Sequence, residues 1–153
     1  MTVIEPILRA RNLTTMLRGR AGVVTAVDNV SLSVYPGRTL ALVGESGSGK
    51  SITCLSMLGL LPSSGKLVAG EVLFKGRDLA KLSQRELEDI RGREIGMILQ
   101  DAMTSLNPLF TIGYQIEEVF RYHQGIRDRG ELRRRAIEVL EKRDLLDSVI
   151  ELH

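Results

Sequence analysis

One cysteine, no tryptophan and an aromatic content of 4% remove several classes of function at the outset. A lone Cys54 cannot close an intrachain disulfide, so the fold is no disulfide scaffold and a reducing compartment suits it. Cys54 itself reads as a small buried hydrophobe. Three tyrosines and three phenylalanines are too few for an aromatic ligand cage. No apolar run approaches the ~20 residues that span a bilayer. The N-terminus, Met1-Thr2-Val3-Ile4-Glu5-Pro6, has no basic region leading into an apolar stretch, so no secretory leader is expected. A net charge of +2 gives no sign of nucleic acid as a main partner. Internal repeats and low-complexity tracts are missing too. What is left, 43% hydrophobic over 153 residues, suits one cytosolic globular domain with a real core.

Against that background one segment is rich in meaning. Gly44-Glu45-Ser46-Gly47-Ser48-Gly49-Lys50-Ser51 completes the phosphate-binding pattern G-x-x-x-x-G-K-S/T. It follows the apolar residues 39–43, which read as a buried strand, and opens into residues 52–58, which read as a helix. A phosphate chain needs converging backbone N–H groups, a cation at its far end and a hydroxyl for the metal. A glycine-rich turn between strand and helix supplies all three. Gly44, Gly47 and Gly49 allow tight turning and close approach. Lys50 is the cation for the β- and γ-phosphates, and Ser51 the expected Mg²⁺ ligand. Glu45, Ser46 and Ser48 fill variable positions, where the amides rather than the side chains would bind. The helix dipole adds to the attraction. The glycines are spaced G-x-x-G-x-G, which argues against a dinucleotide fingerprint.

The first forty residues read as short strands, over 6–14, 23–27 and 30–34. Asp28-Asn29 is a turn signal, and residues 18–22 form a hairpin loop. Antiparallel strands first, then strand–loop–helix, predict a mixed α/β architecture. Residues 70–74 return as a strand, and Lys75-Gly76 turns. Ser83 and Glu86 make a capping box for a helix ending near Arg91-Gly92. Residues 95–99 read as a second buried strand running into Gln100-Asp101, and 102–108 as a loop. Thr111 caps a helix to about Gln124. Asp128 and Glu131 make a second capping box; the helix after it puts Leu132, Ala136, Val139 or Leu140, Leu146 and Ile150 on one face. Arg133, Arg134 and Arg135 then fall mostly on the solvated side.

Three stretches together carry a family resemblance: residues 44–51, residues 70–79 (GEVLFKGRDL) and residues 98–108 (ILQDAMTSLNP). They resemble the ATP-binding subunits of ABC transporters. Met103 to Pro108 with Ile112 to Ile116 is typical of the dipeptide/oligopeptide importer branch. The resemblance covers about residues 7–142. It implies a P-loop NTPase fold of the ABC type: an antiparallel β part, a partial parallel core sheet with the P-loop, and the start of a helical subdomain. The implied division is a core over residues 1–110 and helical residues 111–153. It implies ATP and Mg²⁺ as cofactors, with Gly44, Ser46, Gly47, Gly49, Lys50 and Ser51 on phosphates and metal. Gln100 matches the Q-loop glutamine, which reaches Mg²⁺ and the attacking water. A glutamine at a strand's C-terminal end can orient a water without carrying charge. Implied partners are membrane permease subunits docked on the helical subdomain, a second ATP-binding subunit and, indirectly, a solute-binding protein. The implied location is peripheral, on the cytoplasmic side of the inner membrane.

The chain also departs from the pattern. Leu17 stands about where the family stacks an aromatic ring on adenine; it offers apolar contact but no π face. Ala102 replaces a proline and Leu99 a phenylalanine. The L-S-G-G signature, the Walker B aspartate with its catalytic glutamate, and the switch histidine are not among the 153 residues. His123 and His153 lie outside any such motif. Similarity fades after about Glu141, which leads to the expectation of a truncated or frameshifted product. A missing Walker B strand leaves residues 39–43 with an open edge. Two alternatives stay open: a nucleotide-binding module without turnover, pairing with an intact subunit, or an inert fragment. A GTPase is disfavoured because no N-K-x-D motif occurs.

Overall fold

A long antiparallel hairpin sets the frame: β1 is Leu8–Gly19 and β2 is Gly22–Val34. Arg20 and Ala21 alone connect them. The structure is a computed structural model that describes residues 4–99 and 106–142. The chain divides into two compact units after Glu88. In the first, β3 (Gly65–Phe74) pairs antiparallel with β1, and β4 (Arg77–Asp78) with β3, giving the order β2-β1-β3-β4. The helix α1 (Lys50–Met57) packs on this sheet. Ala10, Leu13 and Thr15 of β1, Val27 of β2, Val72 and Phe74 of β3, and Thr53, Ser56 and Met57 of α1 are buried.

The turn expected at Asp28-Asn29 is instead a bulge inside an unbroken β2. Asn29 has φ 50° and Asn12 on β1 has φ 49°. Asparagine tolerates the left-handed region, so each strand gains a residue without ending its ladder. Asn12 Nδ2 donates to Asn29 Oδ1 at 2.8 Å, and the Asn12 amide donates to Ser31 Oγ at 2.9 Å. On β3 the bulge is met by Gly70, φ 99°, where a Cβ would lie 2.6 Å from the Arg11 carbonyl oxygen.

Residues 39–43 and 95–99, expected as buried strands, are not strands. Val43 is 89% exposed and Ile98 99%. Among the described residues nothing ladders with either, apart from a single bridge between Arg91 and Ile95. A buried strand needs hydrogen-bonding neighbours as well as apolar side chains. The apolar pattern carries the propensity; it cannot supply the neighbours. The partial parallel sheet is therefore not formed among the described residues.

The helix α2 (Gln84–Ile90) begins at the expected box: Glu86 Oε2 accepts from the Ser83 amide at 2.8 Å and from Ser83 Oγ at 2.7 Å. In the second unit, α3 (Ile112–Gln124) is capped by Thr111, whose Oγ1 accepts from the Tyr114 amide at 3.3 Å. The helix α4 (Arg129–Glu141) packs on α3. Asp128 caps α4, accepting from the Glu131 amide at 2.8 Å. The return half of that box is not made. The Glu131 carboxylate instead accepts from Arg134 and Arg135, because two guanidinium groups within a turn outcompete one amide. Leu132, Ala136 and Leu140 form the buried stripe, and Val139 stays outside it. Leu146 and Ile150 lie outside the described residues.

Candidate phosphate-binding site

Residues 44–51 turn directly into α1, and the glycines there have distinct tasks. Gly47 has φ 82°, in the left-handed region that favours glycine. Gly49 is the N-cap residue of α1, at φ 90° and ψ 1°. A Cβ on Gly49 would sit 2.4 Å from the Ala26 carbonyl oxygen of β2, so glycine is demanded by backbone angle and by space. A Cβ on Gly44 would sit 2.7 Å from Ser48 Oγ. The loop closes on itself through the Ser48 amide, which donates to the Glu45 carbonyl at 3.2 Å.

No side chain caps α1. The first helical bond runs from the Thr53 amide to the Gly49 carbonyl at 2.8 Å. The amides of Lys50, Ser51 and Ile52 precede it at the positive end of the helix dipole, which is where an oxyanion binds best. Lys50 folds back across the loop. Its Nζ donates to the Gly44 carbonyl at 2.8 Å, the Glu45 carbonyl at 2.6 Å and Ser48 Oγ at 3.2 Å. All three N–H donors of the ammonium are thus spent on neutral acceptors of the loop, and a phosphate oxygen bound there would take the place of one or more of them. Glu45, Ser46 and Ser51 are exposed. Donor set and dipole fit a phosphate chain, and the Ser51 hydroxyl fits one position on a hydrated Mg²⁺. Among the described residues no group of three His, Cys, Asp or Glu side chains could hold a metal by itself.

The sequence gives no sign that the Ser48 hydroxyl accepts from Lys50 Nζ. Nor does it show how α1 is anchored. Thr53 Oγ1 donates to the Gly49 carbonyl at 2.9 Å, and Ser56 Oγ lies 2.8 Å from Thr15 Oγ1 on β1. Spacing along the chain gives no signal of contacts such as these.

Leu17 is half-buried and pairs across the hairpin with Val24, which is exposed. It lies two residues from Thr15 on the face that carries α1. Its Cδ2 would be 3.0 Å from a Cβ on Gly65. Leu17 and Val24 therefore present an aliphatic surface beside the loop's sheet anchor. Gln100 and Ala102 lie outside the described residues. Leu99 is exposed, and the His123 ring packs against Gly92. Among the described residues no helix is long and apolar enough to cross a membrane.

Comparison with known proteins sets this geometry in context. A family model described as "ABC transporter" matches residues 27–152. A Brucella melitensis biotype 1 protein named for peptide import and ATP binding is 47% identical over 137 residues, which is 90% of this chain and 41% of that protein. A Brucella ovis protein named in the same way is 46% identical over 151 residues, 95% of this chain and 43% of its own length. Among solved structures, the ATP-binding cassette MJ0796, in a dimeric post-hydrolysis state bound to ADP and Pi, superposes with a TM-score of 0.74 at 29% identity. That match covers 88% of this chain and 56% of the cassette. The chain thus spans about two fifths of the length of the curated relatives it matches.

Proposed function

This chain belongs to the ABC transporter family, and we propose that it is the nucleotide-binding part of an ATP-binding subunit that energises solute uptake, with di- or oligopeptides as the solute class. The observation that carries the reading is the Lys50 ammonium held across residues 44–51 at the uncapped start of α1. In this reading the amides of the loop hold the β- and γ-phosphates of ATP, with Lys50 as their counter-charge. Ser51 and Gln100 would hold Mg²⁺, which would offset the phosphate charge, and Gln100 would also orient the attacking water. ATP supplies the phosphoanhydride bond whose cleavage drives the transport cycle. The solute class rests on the Brucella relatives, which are named for peptide import.

The partners in this reading are membrane-embedded permease subunits, a second ATP-binding subunit and, at one remove, a solute-binding protein. That arrangement puts the chain peripherally on the cytoplasmic side of the membrane. The second unit supports the docking role. Along α3 runs a groove of about 760 Å³ whose lining mixes apolar Leu106, Ile116, Val119 and Tyr122 with polar and charged side chains, Glu118 and Arg121 among them. Val119 and Tyr122 are exposed.

Leu17 and Val24 can cover a base by apolar contact, but they hold no group that reads its edge. Discrimination between adenine and guanine is therefore weak. Equilibrium titration with ATP, ADP, AMP and GTP tests the reading. Affinity is expected to fall from ATP to ADP to AMP, with GTP within about tenfold of ATP because apolar contact from Leu17 and Val24 does not distinguish the two purines. AMP bound as tightly as ATP would contradict phosphate recognition by this loop.

A further inference from the structure

We propose that the buried hydroxyl pair Thr15–Ser56 is a positioning device that fixes the spacing between the base-side surface and the phosphate loop. This rests on the nucleotide reading above. Thr15 is 0% exposed and Ser56 3%. Ser56 Oγ lies 2.6 Å from the Ile52 carbonyl within α1. A carbonyl only accepts, so the single Ser56 proton is committed there. Ser56 must then accept from Thr15 Oγ1, at 2.8 Å. The direction of the bond is set: Thr15 to Ser56 to Ile52, a chain running from β1 into the backbone of α1.

Valine and alanine would fill the same space as threonine and serine, with no hydroxyl to satisfy. Filling the core between β1 and α1 therefore does not demand the pair. What it adds is a directional link of fixed length. Besides the packing of Thr53 and Met57, two specific contacts hold the helix. Its start is wedged where Gly49 meets the Ala26 carbonyl of β2. Its last turn is tied to β1 through Thr15. Without the second contact, the register of α1 along β1 rests on the non-directional packing of Thr53 and Met57.

The two points stand in a useful relation to the site. Ser56 lies six residues along α1 from Lys50, roughly 9 Å. Thr15 lies two residues along β1 from Leu17, roughly 7 Å, on the same face. A slide of α1 along β1, which the Thr15–Ser56 bond opposes, carries Lys50 with the helix and changes its distance to the Leu17–Val24 surface. A nucleotide touches both places and senses the change. An inorganic polyphosphate touches only the loop and does not.

The test compares ATP with tripolyphosphate on the full chain and on Thr15→Val, Thr15→Ser and Ser56→Ala. Thr15→Val is expected to weaken ATP by up to about fivefold, the bound set by one hydrogen bond, with tripolyphosphate affinity unchanged. Ser56→Ala should give the same split, so the proposal stays testable if one variant does not fold. Thr15→Ser, which keeps the hydroxyl, should restore the wild-type ratio. Equal losses for both ligands, or no loss for either, would overturn the proposal. A wild-type chain that binds neither ligand would instead remove the nucleotide reading on which it stands.

Discussion

Gly49 shows how much one residue decides. Its φ of 90° is strained for any side chain, and a Cβ would press on the Ala26 carbonyl at 2.4 Å. Gly49→Ala should therefore cost about 1–3 kcal/mol. It should also lower ATP affinity, because relief of the clash displaces the start of α1. Thermal denaturation and titration read the two effects; an unchanged melting temperature would contradict the packing described. The need for glycine was legible in the sequence pattern. Its neighbour was not, since Ala26 arrives from another strand. The place of Lys50 at the start of α1 was legible too. Its anchoring on Ser48 Oγ was not, because a motif specifies residue types and leaves side-chain hydrogen bonds open.

Among the elements, the helix starts were the most legible. Ser83 and Thr111 stand one residue before α2 and α3, and Asp128 one before α4. Capping is local, so sequence suffices. Ser83→Ala should cost about 1 kcal/mol and shorten α2, seen as lost helical ellipticity. Glu86 contributes from the other side of the box. Hydrogen bonds from the Ser83 hydroxyl and then the Ser83 amide hold its carboxyl below the ordinary glutamate range. Long-range features were harder to read. Asp28-Asn29 looks like a turn, and only the matching Asn12 on β1 and Gly70 on β3 make it a bulge. Residues 39–43 and 95–99 look like buried strands, and only pairing partners would make them so.

At the scale of the whole molecule, acid stability follows from Asp78. Burial raises its pKa, but the Lys81 ammonium and the amides of Val72 and Ala80 outweigh that, and the net shift is downward. A carboxyl depressed in the folded state stabilises the fold above its unfolded pKa. That contribution fades as pH falls below about 4 toward the folded value. Asp78→Asn should flatten the pH dependence of the melting temperature in that window and lower its plateau near neutrality. An unaltered acid profile would contradict the ion pair. The antiparallel part and the helical start of the second unit were legible because periodicity and caps are local. The parallel part depends on contacts between distant segments, which a sequence pattern does not encode.

The central claim is that backbone amides and the Lys50 ammonium at the start of α1 bind the phosphates of ATP. Equilibrium titration of ATP against wild type and Lys50→Ala, with circular dichroism as the control for folding, tests it most directly. The predicted result is a loss of at least about tenfold in affinity, with an unchanged spectrum, since a hydrogen bond to a charged partner is worth more than a neutral one. Equal ATP affinity in two equally folded proteins would contradict it.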